Sequence, residues 1–298
     1  MRRPPLLLLN TARIATCLIA LALVPSARAQ GRAECATIQS TVLPRPVRYC
    51  AFLPDSFDQD KNRRYPVLYY LHGLGDNEQS LLNSGGWDLI EDLRRQGKIG
   101  DFVVLAPSGG HTFFLNSADG KIRYEDFLTK EFMPQMEQKY RVDGVRTRRG
   151  ITGVSMGGFG ALRLAFKYPQ RFAAVSAQMP ALLAEIPADF AGGGPGAPSS
   201  MLGDVFGNPI DVAYLQRNSV FYFAKATPAP ELKRMKIYFN VGNNDDYGFE
   251  QGAQKLHLLL DSRGIPNEFH IYSGRHDPQF AVRHFGEVVE FQWNAIGK

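Results

Sequence analysis

The stretch RRGITGVSMGGFGALRLAF (Arg148–Phe166) changes its periodicity across a single residue. Gly150-Ile151-Thr152-Gly153-Val154 is short and apolar, the pattern of a strand covered on both faces. From Met156 onward, Ala161, Leu162, Ala165 and Phe166 recur at helical spacing. A buried strand that runs straight into a helix belongs to a parallel sheet, because parallel neighbours need a crossover connection.

The remaining chain repeats this alternation. Val47–Leu53, Pro66–Leu71, Phe102–Ala106, Phe172–Ala177, Met235–Gly242 and Phe269–Tyr272 read as strands. Trp87–Gln96, Tyr124–Tyr140, Gly252–Arg263 and Phe280–Asn294 read as helices, with Gly97 and Gly264 placed to end the first and third. The pattern predicts an α/β fold with a mostly parallel central sheet and helices on both faces. Residues 181–230 break the alternation with many prolines and AGGGPGAPSS (Ala191–Ser200). That segment reads either as a solvated loop or as a lid or pocket wall. No internal repeat is present.

Residues 1–29 stand apart. Arg2 and Arg3 precede an apolar run, Ile14–Val24, and Ala27-Arg28-Ala29 closes it. This is the pattern of a secretory signal peptide, and the run is shorter than the ~20 residues a bilayer span needs. The expected mature protein is residues 30–298, a single domain, secreted or periplasmic and without stable membrane insertion. The leader holds four of the 34 basic residues and no acid, so its removal takes the formal charge from +5 to +1. The mature chain therefore has no electrostatic footprint for nucleic acid. Cys35 and Cys50 remain, flanking a hairpin predicted at Leu43-Pro44-Arg45-Pro46. In an exported protein such a pair reads as a disulfide, the alternative being two buried thiols. No Cys/His cluster has metal-ligand spacing.

Gly153-Val154-Ser155-Met156-Gly157 fits G-x-S-x-G. A sharp strand-to-helix turn collides with side chains two residues either side of its apex, so both positions are glycine. The turn lifts the Ser155 hydroxyl clear of the sheet, and the Met156 N–H at the helix start points toward a substrate oxygen. A serine nucleophile needs a base. Of the six histidines, His276 lies on a loop after the last predicted strand, where reactive groups collect in an open parallel sheet. His257, His270 and His284 fall inside regular elements, His111 lies in a glycine-rich loop, and His72 follows a strand as a structural hydrogen-bonder. The orienting acid precedes the histidine in VGNNDDYGF (Val241–Phe249), which offers Asp245 and Asp246; Asp277 is a weaker third candidate. Leu71-His72-Gly73-Leu74 supplies a second oxyanion donor in the N–H of Leu74.

Leu71-His72-Gly73, Gly153-Val154-Ser155-Met156-Gly157-Gly158-Phe159-Gly160-Ala161, Gly242-x-x-Asp245 and Gly274-x-His276 together resemble the esterase D, or putative-esterase, family of α/β-hydrolases. That family includes S-formylglutathione hydrolases, feruloyl and acetyl-xylan esterases, tributyrin-type esterases and the antigen 85 mycolyltransferases. The likeness runs from about Val47 to Trp293, and Arg171–Val175 and Val205–Pro209 also look like family segments. It implies Ser155 as nucleophile, His276 as base, and Leu74 and Met156 as oxyanion donors. It favours Asp245 over Asp246, because the family's acid stands in a G-x-x-D turn. The chain departs from the family pattern after its His-Asp pair, where Pro278 and then Phe280 follow, so acyl preference does not carry over. The resemblance implies a cofactor-free esterase for small acyl, acetyl or feruloyl esters of small molecules or oligosaccharides. Its alternative is acyl transfer to a sugar or lipid hydroxyl at the same site. Trp87, Phe113, Phe114 and residues 181–223 are candidate pocket-lining residues, and each of these aromatics could equally be core packing.

Overall fold

A computed structural model describes Met1 and residues 30–186 and 199–297. The expected leader, apart from Met1, and residues 187–198 lie outside the described residues. Eight strands form one sheet: β1 Arg32–Ile38, β2 Val47–Leu53, β3 Val67–Leu71, β4 Val103–Pro107, β5 Arg149–Val154, β6 Ala174–Gln178, β7 Lys236–Gly242 and β8 Glu268–Tyr272. Their spatial order is β1-β2-β4-β3-β5-β6-β7-β8. The β1–β2 and β2–β4 pairs are antiparallel and every other pair is parallel.

The central strands are buried from end to end, which is why they read as unbroken apolar runs. Each face of the sheet carries its own core. One gathers Tyr69, Phe132, Ile151, Leu162, Phe166 and Val241. The other gathers Phe52, Leu68, Trp87, Phe102, Tyr238 and Phe285. The helices Gly86–Arg95 and Pro278–Ile296 pack over the second core.

The hairpin predicted at Leu43–Pro46 joins β1 to β2, and Cys35 sits directly opposite Cys50 in their register, disulfide-bonded. The predicted Tyr124–Tyr140 helix has a wide π-type middle, Phe127–Phe132, between α-helical ends. Pro134 follows that middle and has no N–H to donate, so the preceding turn is free to widen. Residues 199–233 hold four short helices, Ser199–Phe206, Val212–Arg217, Val220–Ala226 and Ala229–Lys233. The stretch that sequence read as loop or lid is therefore helical in its described second half. Among the described residues no helix is long and apolar enough to cross a membrane.

Candidate active site

The C-terminal ends of β5, β7 and β8 converge on one point, and each contributes one side chain. Ser155 leaves β5 with φ 55° and ψ −115° and begins the Met156–Lys167 helix. An L-residue holds that conformation only where its surroundings over-determine it. The two flanking glycines show how they do. A Cβ at Gly153 would lie 2.3 Å from the Gly157 backbone, and one at Gly157 would lie 1.9 Å from the Leu71 carbonyl oxygen.

His276 Nε2 lies 2.9 Å from Ser155 Oγ, and His276 Nδ1 lies 2.7 Å from Asp245 Oδ2. A carboxylate accepts and does not donate, so Nδ1 carries the ring proton and Nε2 is left to accept from the serine. The Asp245 side chain is wholly buried, and its other oxygen accepts from the Tyr247 N–H at 3.0 Å. Asp246 plays a different part. Arg275 binds one of its oxygens, at 2.8 Å from Nε, and the His276 N–H donates to the other at 3.2 Å. The Arg275 hydrogen bond holds the Asp246 carboxyl below its ordinary range. Asp277 caps the last helix through the Phe280 N–H at 2.7 Å.

The loops carrying Asp245 and His276 are stitched by backbone bonds, Asn243 N–H to the Tyr272 carbonyl at 2.8 Å and Asn244 N–H to the Gly274 carbonyl at 3.0 Å. A Cβ at Gly242 would meet the Gly274 carbonyl oxygen at 2.4 Å, so this close approach requires glycine.

Leu74 and Met156 line the same cavity as Ser155 and His276. Met156 is the first helical residue, so its N–H has no intrahelical acceptor. A Cβ at Gly73 would stand 3.8 Å from the Ser155 Cβ, which sets the Gly73–Leu74 backbone beside the serine. His72 fixes that loop from behind. Its Nε2 accepts from the Gly109 N–H at 2.8 Å, so Nδ1 carries the proton and donates to the Gly73 carbonyl at 2.7 Å. Burial lowers the His72 pKa and keeps the ring neutral, as this bonding requires. The remaining histidines make other contacts. His257 bonds Asn267, His270 and His284 stack on Tyr272, and His111 lies on the cavity wall.

The cavity measures about 760 Å³ and its walls are mostly apolar. Of the aromatics singled out in the sequence, Phe113 lines it. Trp87 instead packs on Phe52 in the core, and Phe114 packs edge-on against His72. Phe206, within the 181–223 stretch named as candidate lining, is on the wall too, whereas sequence reasoning missed Phe159, Tyr247 and Phe249, all on the cavity wall. Tyr247 and Phe249 set their ring edges against His276, with centroids 4.9 and 5.4 Å away. Both follow Asp245 in the VGNNDDYGF stretch, where nothing in the spacing marked them as pocket residues. Left-handed backbone recurs here too: Phe113, Ser155 and Met179, all cavity-lining, have φ of 52°, 55° and 43°.

An eight-stranded, mostly parallel sheet with a strained serine at the turn after its fifth strand is the α/β-hydrolase fold. A family model described as a putative esterase matches residues 40–284, and the chain belongs to that family. An esterase of Mycobacterium tuberculosis is 30% identical over 248 residues, covering 75% of this chain and 51% of the relative. The chain thus spans about half the length of that relative. An acetyl esterase of Caldicellulosiruptor saccharolyticus is 27% identical over 266 residues, 85% of this chain and 94% of the relative. A solved structure of a ferulic acid esterase, 27% identical, superposes with a TM-score of 0.75 over 90% of this chain and 99% of its own.

Proposed function

We propose that this protein is a serine carboxylic-ester hydrolase that works through an acyl-enzyme on Ser155. The observation that carries the reading is the continuous hydrogen-bond chain Ser155 Oγ–His276–Asp245 at the mouth of an apolar cavity. His276 Nε2 takes the serine proton as Oγ attacks the ester carbonyl. Asp245 holds the ring in the tautomer that can accept, and steadies its positive form. The N–H groups of Leu74 and Met156 receive the oxyanion; one such donor is worth on the order of 10²–10³ in rate. His276 then protonates the departing alcohol, and water repeats the attack with the same proton transfers in reverse order. Asp246 and Arg275 hold the His276 loop in place and take no part in the proton path.

The substrates we assign are small acyl, acetyl or feruloyl esters of small molecules or oligosaccharides. The apolar cavity supports this, as do relatives named acetyl esterase and ferulic acid esterase. We also assign residues 1–29 to an export signal and the described part of the 181–230 segment to a pocket wall. Leu202, Phe206 and Leu215 on the cavity support the second assignment, and the Cys35–Cys50 disulfide supports an oxidising compartment.

The test is hydrolysis of p-nitrophenyl acetate, butyrate and octanoate and of methyl ferulate by wild type and Ser155→Ala. Activity that disappears in the variant supports the reading. A folded wild type as inactive as its variant, and unlabelled by a serine-directed fluorophosphonate, rejects it.

A further inference from the structure

The loop that carries Leu74 has little packing of its own. The Gly73 carbonyl accepts from the Asp76 N–H at 3.2 Å and closes a turn. Within it Gly75 has φ 82°, with nothing inside 4 Å of the place a Cβ would take. A backbone donor that receives an oxyanion must nevertheless hold its position to about 0.5 Å.

Ties to the rest of the protein bracket this turn. Ahead of it, His72 accepts the Gly109 N–H. Beyond it, Glu78 forms an ion pair with Arg48 of β2, Nε to Oε1 at 3.1 Å. The two ties share an anchor. Ser108, next to Gly109, donates its N–H to the Arg48 carbonyl at 2.8 Å, and its own carbonyl accepts from the Tyr124 hydroxyl at 2.7 Å. His72, Gly109, Ser108, Arg48 and Glu78 thus close a ring around residues 73–77.

Stability alone gives no reason for a carboxylate at position 78. The Glu78 side chain is 3% exposed, and its Oε2 is buried with no hydrogen-bond partner among the described residues. A buried carboxylate with a single ion pair stabilises a fold no better than an apolar side chain of its size. Arg48, with a side chain 65% exposed, buries little of its own surface in return. What the pair does supply is position. It fixes the far end of the turn to the sheet, as His72 fixes the near end.

We infer that Glu78 and Arg48 are positioning residues that hold the Leu74 N–H in the oxyanion hole. Arg48 acts through Glu78, and Glu78 acts through the backbone of residues 73–77. The chemical consequence rests on the ester-hydrolase reading, whereas the tie itself does not.

Glu78→Gln keeps the shape of the side chain and removes its charge, and Arg48→Met alters a mostly exposed position, so both variants should fold. Kinetics on p-nitrophenyl acetate and on its thionoester, in which sulfur replaces the carbonyl oxygen, would run beside amide exchange read by mass spectrometry on the full chain. In each variant kcat for the oxygen ester should fall roughly ten-fold, short of the loss of a whole donor, with KM nearly unchanged. The thionoester should lose less, because its longer C–S bond already fits a close pair of donors poorly. The double variant should be no worse than the worse single, since the pair acts as one tie, and Arg48→Lys should recover most of the rate. Exchange should quicken in residues 73–77 and not in the strands. Equal losses on both esters would place the fault outside the oxyanion hole and overturn the proposal. So would an unchanged kcat, or unchanged exchange at residues 73–77. A wild type that cleaves neither ester, with exchange at 73–77 quickened in both variants, keeps the tie and loses only the hydrolase reading.

Discussion

Asp245 and Asp246 are neighbours in sequence and are built for different work. Spacing alone did not separate them, since both follow the same strand within the same turn. Only the fold shows that one carboxylate is buried against the imidazole while the other faces Arg275 at the surface. Asp245→Asn should therefore lower kcat by about 10³- to 10⁴-fold, because the amide stabilises the wrong histidine tautomer. Asp246→Asn should lower it far less, and steady-state kinetics on one p-nitrophenyl ester compares the two directly. His72 gives a pH signature. Its folded pKa is lowered below the ordinary 6.5, so the unfolded chain binds the extra proton first. Its contribution is full above about pH 6.5 and is lost as pH falls toward the folded pKa. Thermal melts should show stability declining over that acid range, with a shallower decline in His72→Gln. A wild-type slope reproduced in His72→Gln would remove His72 as the cause. The glycines either side of Ser155 were legible from sequence for a steric reason, and the contacts at Gly153 and Gly157 supply that reason in distances.

At the scale of elements, the buried strands and long helices were readable because their periods differ, unbroken apolar runs against a 3.6-residue repeat. Two kinds of element were not. β1 is an edge strand of sequence RAECATI, polar and half exposed, with only the hairpin after it to announce it. The helices between Ser199 and Lys233 are too short to show a repeat, and they hold their form through tertiary contacts. One such contact is a buried charge network. Arg163, on the helix that follows Ser155, binds Glu125 at 2.7 Å and the Asn218 carbonyl at 2.9 Å. Arg163→Met leaves Glu125 with Lys167 and Tyr168 alone. It should cost about 3 kcal/mol, in the range for breaking a buried pair. Hydrogen exchange should quicken in Val212–Ala226, and unchanged exchange there would show that Arg163 does not hold this segment. Reduction of Cys35–Cys50 opens a closure of fifteen residues and should remove on the order of 3 kcal/mol. The sheet should persist, because β2 keeps its pairing with β4, so a lowered Tm with unchanged far-ultraviolet circular dichroism is the expected result.

For the whole molecule, the sheet separates two cores, and the cavity opens where both reach its C-terminal edge. This arrangement explains why the pocket residues were the least legible part of the sequence. Apolar character announces burial but not which buried residues face a void. Trp87 and Phe114 carried the same signal as Phe113, and of the three only Phe113 reached the cavity wall. The strained turn, the buried acid and the neutral histidine behind the Gly73–Leu74 loop all converge on one hydroxyl. The most direct test is the rate of p-nitrophenyl acetate hydrolysis by the full chain beside Ser155→Ala, with intact mass recorded during turnover. The account predicts an acetyl adduct on the wild-type protein and neither adduct nor turnover in the variant. Turnover retained in Ser155→Ala would contradict it.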